Sequence, residues 1–451
     1  MCPLLAAVTL LLAAPAVGGD HWPHWRGPTM DGLSAETGLP TSWGSGEDGD
    51  ENVLWRLDLP GWAASSPVVW GDQIFLTSTE KGKEALWLLA VGRDGKEQWR
   101  RSMNAGKIEV FEQFAHETNA AAPSPVTDGE HVYALFGTGQ LAAFDLKGNK
   151  AWEVLLGERY GAPNMFFGLA TSPLIVGDQL VLQLLHTDAQ LVVALDKSTG
   201  KELWKHERST DATGECLHAY TSVVPFRDGD GDVESLLVHG ADYITAHRAT
   251  DGHELWRYGT LNPKDNYNSF FRLVASPVSA DGLVIAPTAK RGPVFGLRPG
   301  AAQGGAQRVE LAWKLDAGTP DVPSPILADG LVYLAGENGR LTVLDASTGE
   351  KVYAERVHQG PHRGSPVHAD GKLYLTAADG TVSVVQTGRE FKVLSKNHLD
   401  AGRLAASPAI SGKTIFIRTA EALFALAATE KAGAEKAGAE KPAAAEGATG
   451  D

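Results

Sequence analysis

Short runs of β-branched and aromatic residues recur along the chain, and turns rich in Asp and Gly separate them. Residues 331–334 and 373–375 are two such runs, and they follow Asp329-Gly330 and Asp370-Gly371. Glycine accepts a positive φ without steric penalty, so Asp-Gly between two apolar runs favours a tight β-hairpin. The pattern therefore predicts an all-β protein built from short antiparallel strands.

A Ser-Pro pair introduces each repeat of this strand pattern. A degenerate copy, in which Ser222 is followed by Pro225 three residues later, fills the one long gap. The serines recur every 41 to 58 residues, which fits four strands of about six residues with their turns. The eight anchors predict an eight-bladed β-propeller of four-stranded blades, with anchor serines at Ser66, Ser124, Ser172, Ser222, Ser276, Ser324, Ser365 and Ser407.

A second turn in each repeat carries a more specific pattern. Residues 194–204 read Ala-x-Asp-x-x-Thr-Gly-x-x-x-Trp, and residues 246–256 and 343–353 repeat that spacing. This pattern resembles the tryptophan-docking repeat of PQQ-type propellers, a superfamily that includes quinoprotein dehydrogenases and the BamB assembly lipoproteins. The resemblance implies that one aromatic ring per blade packs against the neighbouring blade. The residues in this structural docking role are Trp55, Trp99, Trp152, Trp204, Trp256, Trp313 and Tyr353.

The two ends of the repeat region complement each other. The eighth anchor is followed by residues 414–426 and then by low-complexity sequence, so its last strand is missing. Residues 52–59, around Trp55, have the character of that strand but precede the first anchor. We therefore expect this N-terminal strand to complete the last blade, which closes the ring and removes exposed sheet edges.

The segments outside the ring divide the chain into four parts. Residues 1–19 have the apolar run and the small residues of a signal peptide, which predicts an exported protein in the periplasm or cell envelope. Residues 20–51 form an extended arm, expected on the outside of the propeller at residues 52–428. The Ala/Glu/Lys/Gly tail at residues 429–451 is expected to be disordered, because it has nothing to bury.

The start of the arm carries a further resemblance. Its Trp-Pro-x-Trp-Arg-Gly-Pro sequence begins at Trp22 and is similar to the opening of a large group of exported bacterial PQQ-like propellers without a known biochemical role. The likeness continues through residues 261–264 and 322–325, so it extends over most of the chain that follows the signal segment.

Composition narrows the range of partners. The formal net charge is −15, and no stripe of Lys and Arg overrides it, so nucleic acid is excluded as an expected partner. Removal of the signal peptide leaves Cys216 alone, so the ring must hold without an internal disulfide. We expect a monomer with no transmembrane segment, and a protein, a peptide or an envelope polymer as its partner.

The residues just before each anchor should meet at one mouth of the central channel. Arg, His, Tyr and Asn side chains there could bind an anionic small molecule, a peptide carboxylate or a glycan. Equally, these groups could simply line a wet channel. The candidate ligand-binding residues are Trp62, Asn119, His218, Tyr220, Arg272, Asp321, His362, Arg363 and Arg403.

Two functions from different classes follow from the resemblance. Quinoprotein dehydrogenases stack PQQ on a disulfide between adjacent cysteines and hold Ca²⁺ through Glu, Asn and Asp, with an Asp as base. This chain has no adjacent cysteine pair, no catalytic motif that we recognise and no metal-ligand spacing. The preferred hypothesis is a non-catalytic binding or scaffolding propeller without a cofactor, and the alternative is a PQQ-dependent or other redox enzyme.

Overall fold

The computed structural model describes residues 21–46, 49–80, 83–103, 118–226, 233–303 and 306–429. The signal-peptide segment and residues 430–451 of the predicted tail lie outside this part of the chain. Among the described residues, no helix has both the length and the apolar character needed to cross a bilayer.

Eight four-stranded antiparallel sheets follow one another along the chain, which confirms the predicted eight-bladed β-propeller. Within each blade the strands are in sequence order from the channel outward. Blades 1 to 4 contain, in order, Val68–Trp70, Gln73–Glu80, Lys83–Gly92 and Glu97–Met103; Val126–Thr127, His131–Leu135, Gln140–Asp145 and Lys150–Leu155; Leu174–Val176, Gln179–His186, Ala189–Asp196 and Glu202–Glu207; and Val224–Phe226, Ser235–Gly240, Tyr243–Arg248 and Glu254–Tyr258.

Blades 5 to 7 have the same order, and blade 8 takes its outer strand from the N-terminal side. Their strands are Val278–Ala280, Leu283–Pro287, Val294–Gln303 and Ala306–Leu315; Ile326–Ala328, Leu331–Ala335, Arg340–Asp345 and Lys351–Arg356; Val367–Ala369, Lys372–Thr376, Thr381–Gln386 and Val393–His398; and Ala409–Ser411, Thr414–Arg418, Ala422–Leu426 and Val53–Asp58. Helical structure in the described chain is confined to the α-helix Leu156–Tyr160 and the 3-10 turns Gly214–Leu217 and Lys264–Asn266.

The ring closes because strands from the two ends of the chain pair in one blade. Strand Val53–Asp58 pairs antiparallel with Ala422–Leu426, with Trp55 opposite Ala425. The N-terminal strand thus supplies the fourth strand of blade 8, as predicted from the repeat. The edge that the last repeat would otherwise expose is paired.

The anchor serines form a continuous circuit around the channel, which we call the serine ring. The backbone N–H of Ser66 donates to Oγ of Ser124 at 2.9 Å, and the same bond links every later pair at 2.9 or 3.0 Å. Ser407 then donates to Oγ of Ser66 at 2.9 Å and closes the circuit. The degenerate anchor Ser222 takes its place in it.

The docking aromatics form a second circuit further out, which we call the aromatic ring. Trp55 packs against the turn glycine Gly95 of the next blade, and Trp204 and Trp313 pack in the same way against Gly252 and Gly349. These glycines have φ near +75° and leave no room for a Cβ atom beneath the indole. The indole N–H groups of Trp55, Trp99, Trp152 and Trp313 donate to backbone carbonyls of the same turns, at 2.6 to 2.9 Å.

The N-terminal arm crosses the end of the ring that carries the first hairpin turn of each blade. Residues His21–Trp22 pair with Val69 and Trp70 of blade 1, and Thr127 N–H of blade 2 donates to Pro23 O at 3.1 Å. Residues Leu33–Ser34 then pair in parallel with blade 7.

The central part of the arm is the most deeply enclosed. Trp22 and Arg26 are each 1% exposed, and Trp25 lines the central channel. The expectation that Trp25 packs on the outside is therefore wrong. The arm bridges blades across the channel end and buries Trp22 and Arg26 there.

Candidate ligand site at the channel mouth

The central channel holds a cavity of about 190 Å³. The eight anchor serines surround it, and Trp25 of the arm contributes to its lining from one end. The connecting loops that precede the anchors form the other end, which we call the mouth. The arm crosses the opposite end.

The position of a residue relative to the anchor serine explains which side chains reach the cavity. Side chains alternate along an extended chain, so the residue two before each serine faces the same side as the serine. All eight residues at that position line the cavity, whereas four positions before the serine only the long side chains of Arg272 and Arg403 do so. The eight residues are Ala64, Ala122, Ala170, Tyr220, Val274, Val322, Arg363 and Ala405.

The structure brings together five of the nine predicted ligand-binding residues. These five line one cavity: Tyr220, Arg272, Asp321, Arg363 and Arg403. Sequence analysis missed the small residues two before the serines, together with Thr118, Phe167 and Trp25. The period-two alternation from the serine would have found most of them.

The other four predicted residues lie outside the cavity lining. His218 is 2% exposed, and its Nε2 is 2.9 Å from Thr187 Oγ1. His362 is 1% exposed, with Nδ1 3.1 Å from Gly336 O. The Asn119 side chain donates to the backbone carbonyl of Trp62 at 2.8 Å. The two histidines thus bind hairpin turns of the preceding blade, and Asn119 binds the backbone of the loop before Ser66, so these contacts support the mouth from outside its lining.

Burial keeps both of these histidines neutral. Desolvation lowers the pKa of His218 to about 4 and the pKa of His362 to about 4. Neither imidazole therefore adds positive charge to the mouth at neutral pH. The positive charge there comes from arginine.

Three arginines and one carboxylate define the electrostatics of the cavity. Asp321 Oδ2 is 3.3 Å from both Lys290 Nζ and Arg363 Nη1, so two cations already compensate this carboxylate. Among the described residues, the lining contains Arg272, Arg363 and Arg403 against Asp321, in a protein of net charge −15. Glu215 pairs with Arg272 from outside the lining, and Asp379 and Asp400 lie beside Arg363 and Arg403, so the excess of positive charge belongs to the lining and not to its surroundings. A positive cavity in an acidic protein favours an anionic ligand.

Aromatic contacts and a buried carboxylate hold Arg272 in place. Its guanidinium lies 5.2 Å from the centre of the Phe167 ring, and that ring meets Tyr220 edge to face at 5.6 Å. Arg272 Nη1 is also 3.3 Å from Glu215 Oε1. Burial raises the pKa of Glu215, because desolvation outweighs its attraction to Arg272.

The residues present do not fit a PQQ–calcium centre of the dehydrogenase type. Cys216, the one cysteine among the described residues, is 1% exposed, lies outside the cavity lining and contacts Asn268 O at 3.1 Å. As far as the structure describes it, the cavity lining contains one carboxylate, which is ion-paired, and no Glu or Asn. Within the described ranges, no three His, Cys, Asp or Glu side chains are grouped to hold a metal ion.

The ring of eight blades, the docking aromatics and the repeat spacing define a β-propeller of the PQQ-like repeat type. A family model described as outer membrane protein assembly factor BamB matches residues 46–184, 88–305 and 301–449, and the chain belongs to this family. No curated protein matches the sequence significantly.

Solved structures share the fold at low sequence identity. BamB from Moraxella catarrhalis is 16% identical with a TM-score of 0.59, over 84% of this chain and 98% of that one. A europium-containing methanol dehydrogenase is 12% identical with a TM-score of 0.66, over 89% and 90%. The quinohemoprotein alcohol dehydrogenase of Comamonas testosteroni is 13% identical with a TM-score of 0.62, over 96% and 83%. Similarity at this level shows the fold alone.

Proposed function

We propose that this protein is an exported, non-catalytic binding propeller whose mouth holds an anionic group of a protein or peptide partner. The observation that carries the proposal is the convergence of Arg272, Arg363 and Arg403 on one cavity beneath which the arm crosses. Membership of a family named for an assembly factor supports a protein partner over a small metabolite.

The size of the cavity limits what can enter it. About 190 Å³ is below the roughly 300–1,000 Å³ of pockets that enclose a drug-sized ligand. It suits one side chain or the end of a peptide, while the rest of the partner stays on the surface of the propeller. Arginine is suited to this task because its planar guanidinium binds a carboxylate through two parallel hydrogen bonds.

Two carboxylates beside the described cavity are already engaged in ion pairs. Asp321 Oδ2 lies 3.3 Å from both Lys290 Nζ and Arg363 Nη1, so one of the two oxygens that a general base could use is already engaged. Glu215 is likewise engaged by Arg272. The alternative, a PQQ-dependent enzyme, has no specific observation in its favour beyond the shared fold.

Peptides with a free C-terminal carboxylate and the same peptides with a C-terminal amide test the proposal directly. We expect Arg272→Ala and Arg403→Ala to weaken binding of the carboxylate series roughly tenfold each, as for a lost charge-assisted hydrogen bond. Fluorescence anisotropy measures the affinities, with labelled pentapeptides of Ala and Gly that end in either Ala or Gly. Amidated peptides should bind weakly to every variant.

Arg298→Ala is the matched control, because Arg298 is exposed on blade 5 and outside the cavity lining. It should bind peptides like the wild type. Equal affinity of all three variants for carboxylate peptides would refute the role of the mouth. Turnover of an alcohol by protein supplied with PQQ and Ca²⁺, together with a rise in Tm, would favour the enzyme instead.

A further inference from the structure

Each of the eight serine hydroxyls in the ring has an O–H group that could still donate a hydrogen bond. Each Oγ accepts the backbone N–H of the preceding anchor, and within the described chain none of the eight O–H groups donates to a protein acceptor. All eight residues line the cavity and are at most 5% exposed. Because buried donors need acceptors, the ring favours a ligand that brings acceptor atoms into the channel.

A buried cation lies next to this ring. Arg26 of the arm is 1% exposed, and its Nη2 donates to Pro325 O, the residue after Ser324, and to Asp31 O, both at 2.5 Å. Its Nε and Nη1 have no hydrogen-bond partner among the described residues. Burial lowers the pKa of Arg26 to about 10, so the guanidinium stays charged at neutral pH.

The interactions of this guanidinium are incomplete. Both hydrogen bonds of Arg26 go to neutral backbone carbonyls. The Asp31 carboxylate attracts the guanidinium and the Trp25 ring lies 5.6 Å from it, but Nε and Nη1 donate to neither. A buried charge is costly unless it is both paired and hydrogen-bonded. Water can accept from the serine hydroxyls, but it cannot neutralise the guanidinium. An anion can do both.

We infer that the serine ring is a binding site for an oxyanion, the shared chemistry of carboxylate, sulfate and phosphate groups. The inference rests on the proposed function, because the ligand enters through the arginine mouth, but it places the anionic group deeper. The mouth arginines attract the group, the ring hydroxyls donate hydrogen bonds to it, and Arg26 stabilises its charge. A ligand whose anionic end is slender fits this arrangement better than a ligand whose anionic end is bulky.

Equilibrium dialysis of the full chain with radiolabelled sulfate tests the site without knowledge of the natural ligand. We expect one saturable site per chain in the wild type. The double variant Ser276→Ala/Ser324→Ala should bind sulfate about tenfold more weakly, since two of the eight donors are lost. Ser276→Thr/Ser324→Thr, which keeps both hydroxyls, should recover most of the affinity.

Ser383→Ala is the matched control, because Ser383 is 1% exposed on blade 7 and lies outside the cavity lining. Arg26→Met gives a second variant that leaves the serine bonds intact, and it should also weaken sulfate binding about tenfold. Crystals soaked in selenate locate the ion by anomalous scattering even if the serine variants fail to fold. We expect the peak within hydrogen-bond distance of the ring hydroxyls.

The outcomes separate this inference from the proposed function. Sulfate affinity that falls in Arg272→Ala and Arg403→Ala but not in the serine or Arg26 variants would remove the ring site and leave the mouth. A selenate peak confined to the mouth would do the same. Absence of saturable sulfate binding would show that water alone fills the ring. The role of the mouth would be refuted separately, by equal affinity of the wild type and the arginine variants for peptides with a free C-terminal carboxylate.

Discussion

The serine ring and the aromatic ring repeat once per blade, yet one is complete and the other is not. All eight blades contribute a serine, even where the Ser-Pro pair degenerates at Ser222. In the aromatic ring, blade 6 uses Tyr353, whose ring contacts Phe391 at 5.7 Å, and blade 7 has Leu394 on its outer strand. The inner circuit therefore tolerates less change than the outer one.

The chemistry of the two contacts accounts for this difference. A hydrogen bond from one blade to the next needs an acceptor atom at one position, and among small side chains serine supplies it without added bulk. The outer contact depends on buried apolar area, which tyrosine or leucine can partly replace. The serine ring is thus complete because its hydrogen bonds are directional. This does not make it more stabilising than the aromatic ring.

The largest effect should come from the aromatic ring at the point of closure. Trp55→Ala removes the indole from Gly95 and its bond to Arg93 O, at the strand that joins the two ends of the chain. We expect a loss of about 4 kcal/mol in the free energy of unfolding, as for other large-to-small aromatic substitutions. Urea unfolding measures it. The neighbouring Leu54 is 50% exposed, so Leu54→Ala should change stability little.

A smaller effect should follow when the turn beneath an aromatic is filled. Gly252 has φ +72°, and a Cβ there would lie 2.4 Å from the Trp204 ring. Gly252→Ala should cost about 3 kcal/mol, the sum of backbone strain and overpacking. Gly371 has φ +66° with no atom near the same position, so Gly371→Ala should cost about 1 kcal/mol. Equal losses would show that the indole contact contributes nothing to the requirement for glycine.

The architecture could be predicted from the sequence because it rests on repetition. Eight anchors and a strand missing after residue 426 gave the number of blades and the closure through Trp55. The mouth was predicted less well, because the orientation of the anchor serine was unknown. Once the serine is seen to face the channel, alternation assigns Tyr220 and Arg363 to the lining. Alternation does not account for His218, four residues before Ser222, whose imidazole contacts Thr187 Oγ1 instead of the cavity.

The path of the arm could not be predicted in the same way. It depends on contacts between residues far apart in sequence, such as Arg26 with Pro325 and residues 33–34 with residues 368–369. Nothing in the local pattern around Trp25 distinguishes a segment that crosses the channel from one that packs outside.

The serine ring should give a smaller loss than the aromatic ring for each residue removed. Ser222→Ala takes away the acceptor of the Ser172 N–H, which becomes a buried donor without a partner. We expect about 1–2 kcal/mol, the range for such a donor. Ser222→Thr keeps the oxygen and should lose less. A loss as large as that of Trp55→Ala would overturn the ranking of the two rings.

The smallest expected effect is that of pH on the difference between the two rings, because neither ring contains a titratable group. Stability as a whole should fall on acidification, since burial lowers the pKa of His239 and of His362 to about 4. Between about pH 6.5 and pH 4 the unfolded chain binds protons at these positions that the folded chain does not, so stability rises with pH in that window. His239→Gln, which can still donate to Pro287 O, should flatten the slope. The gap in unfolding free energy between Trp55→Ala and Ser222→Ala should stay constant from pH 7 to pH 4.5. A gap that changes with pH would mean that one ring is coupled to a buried histidine, and the two rings could then no longer be compared as separate contacts.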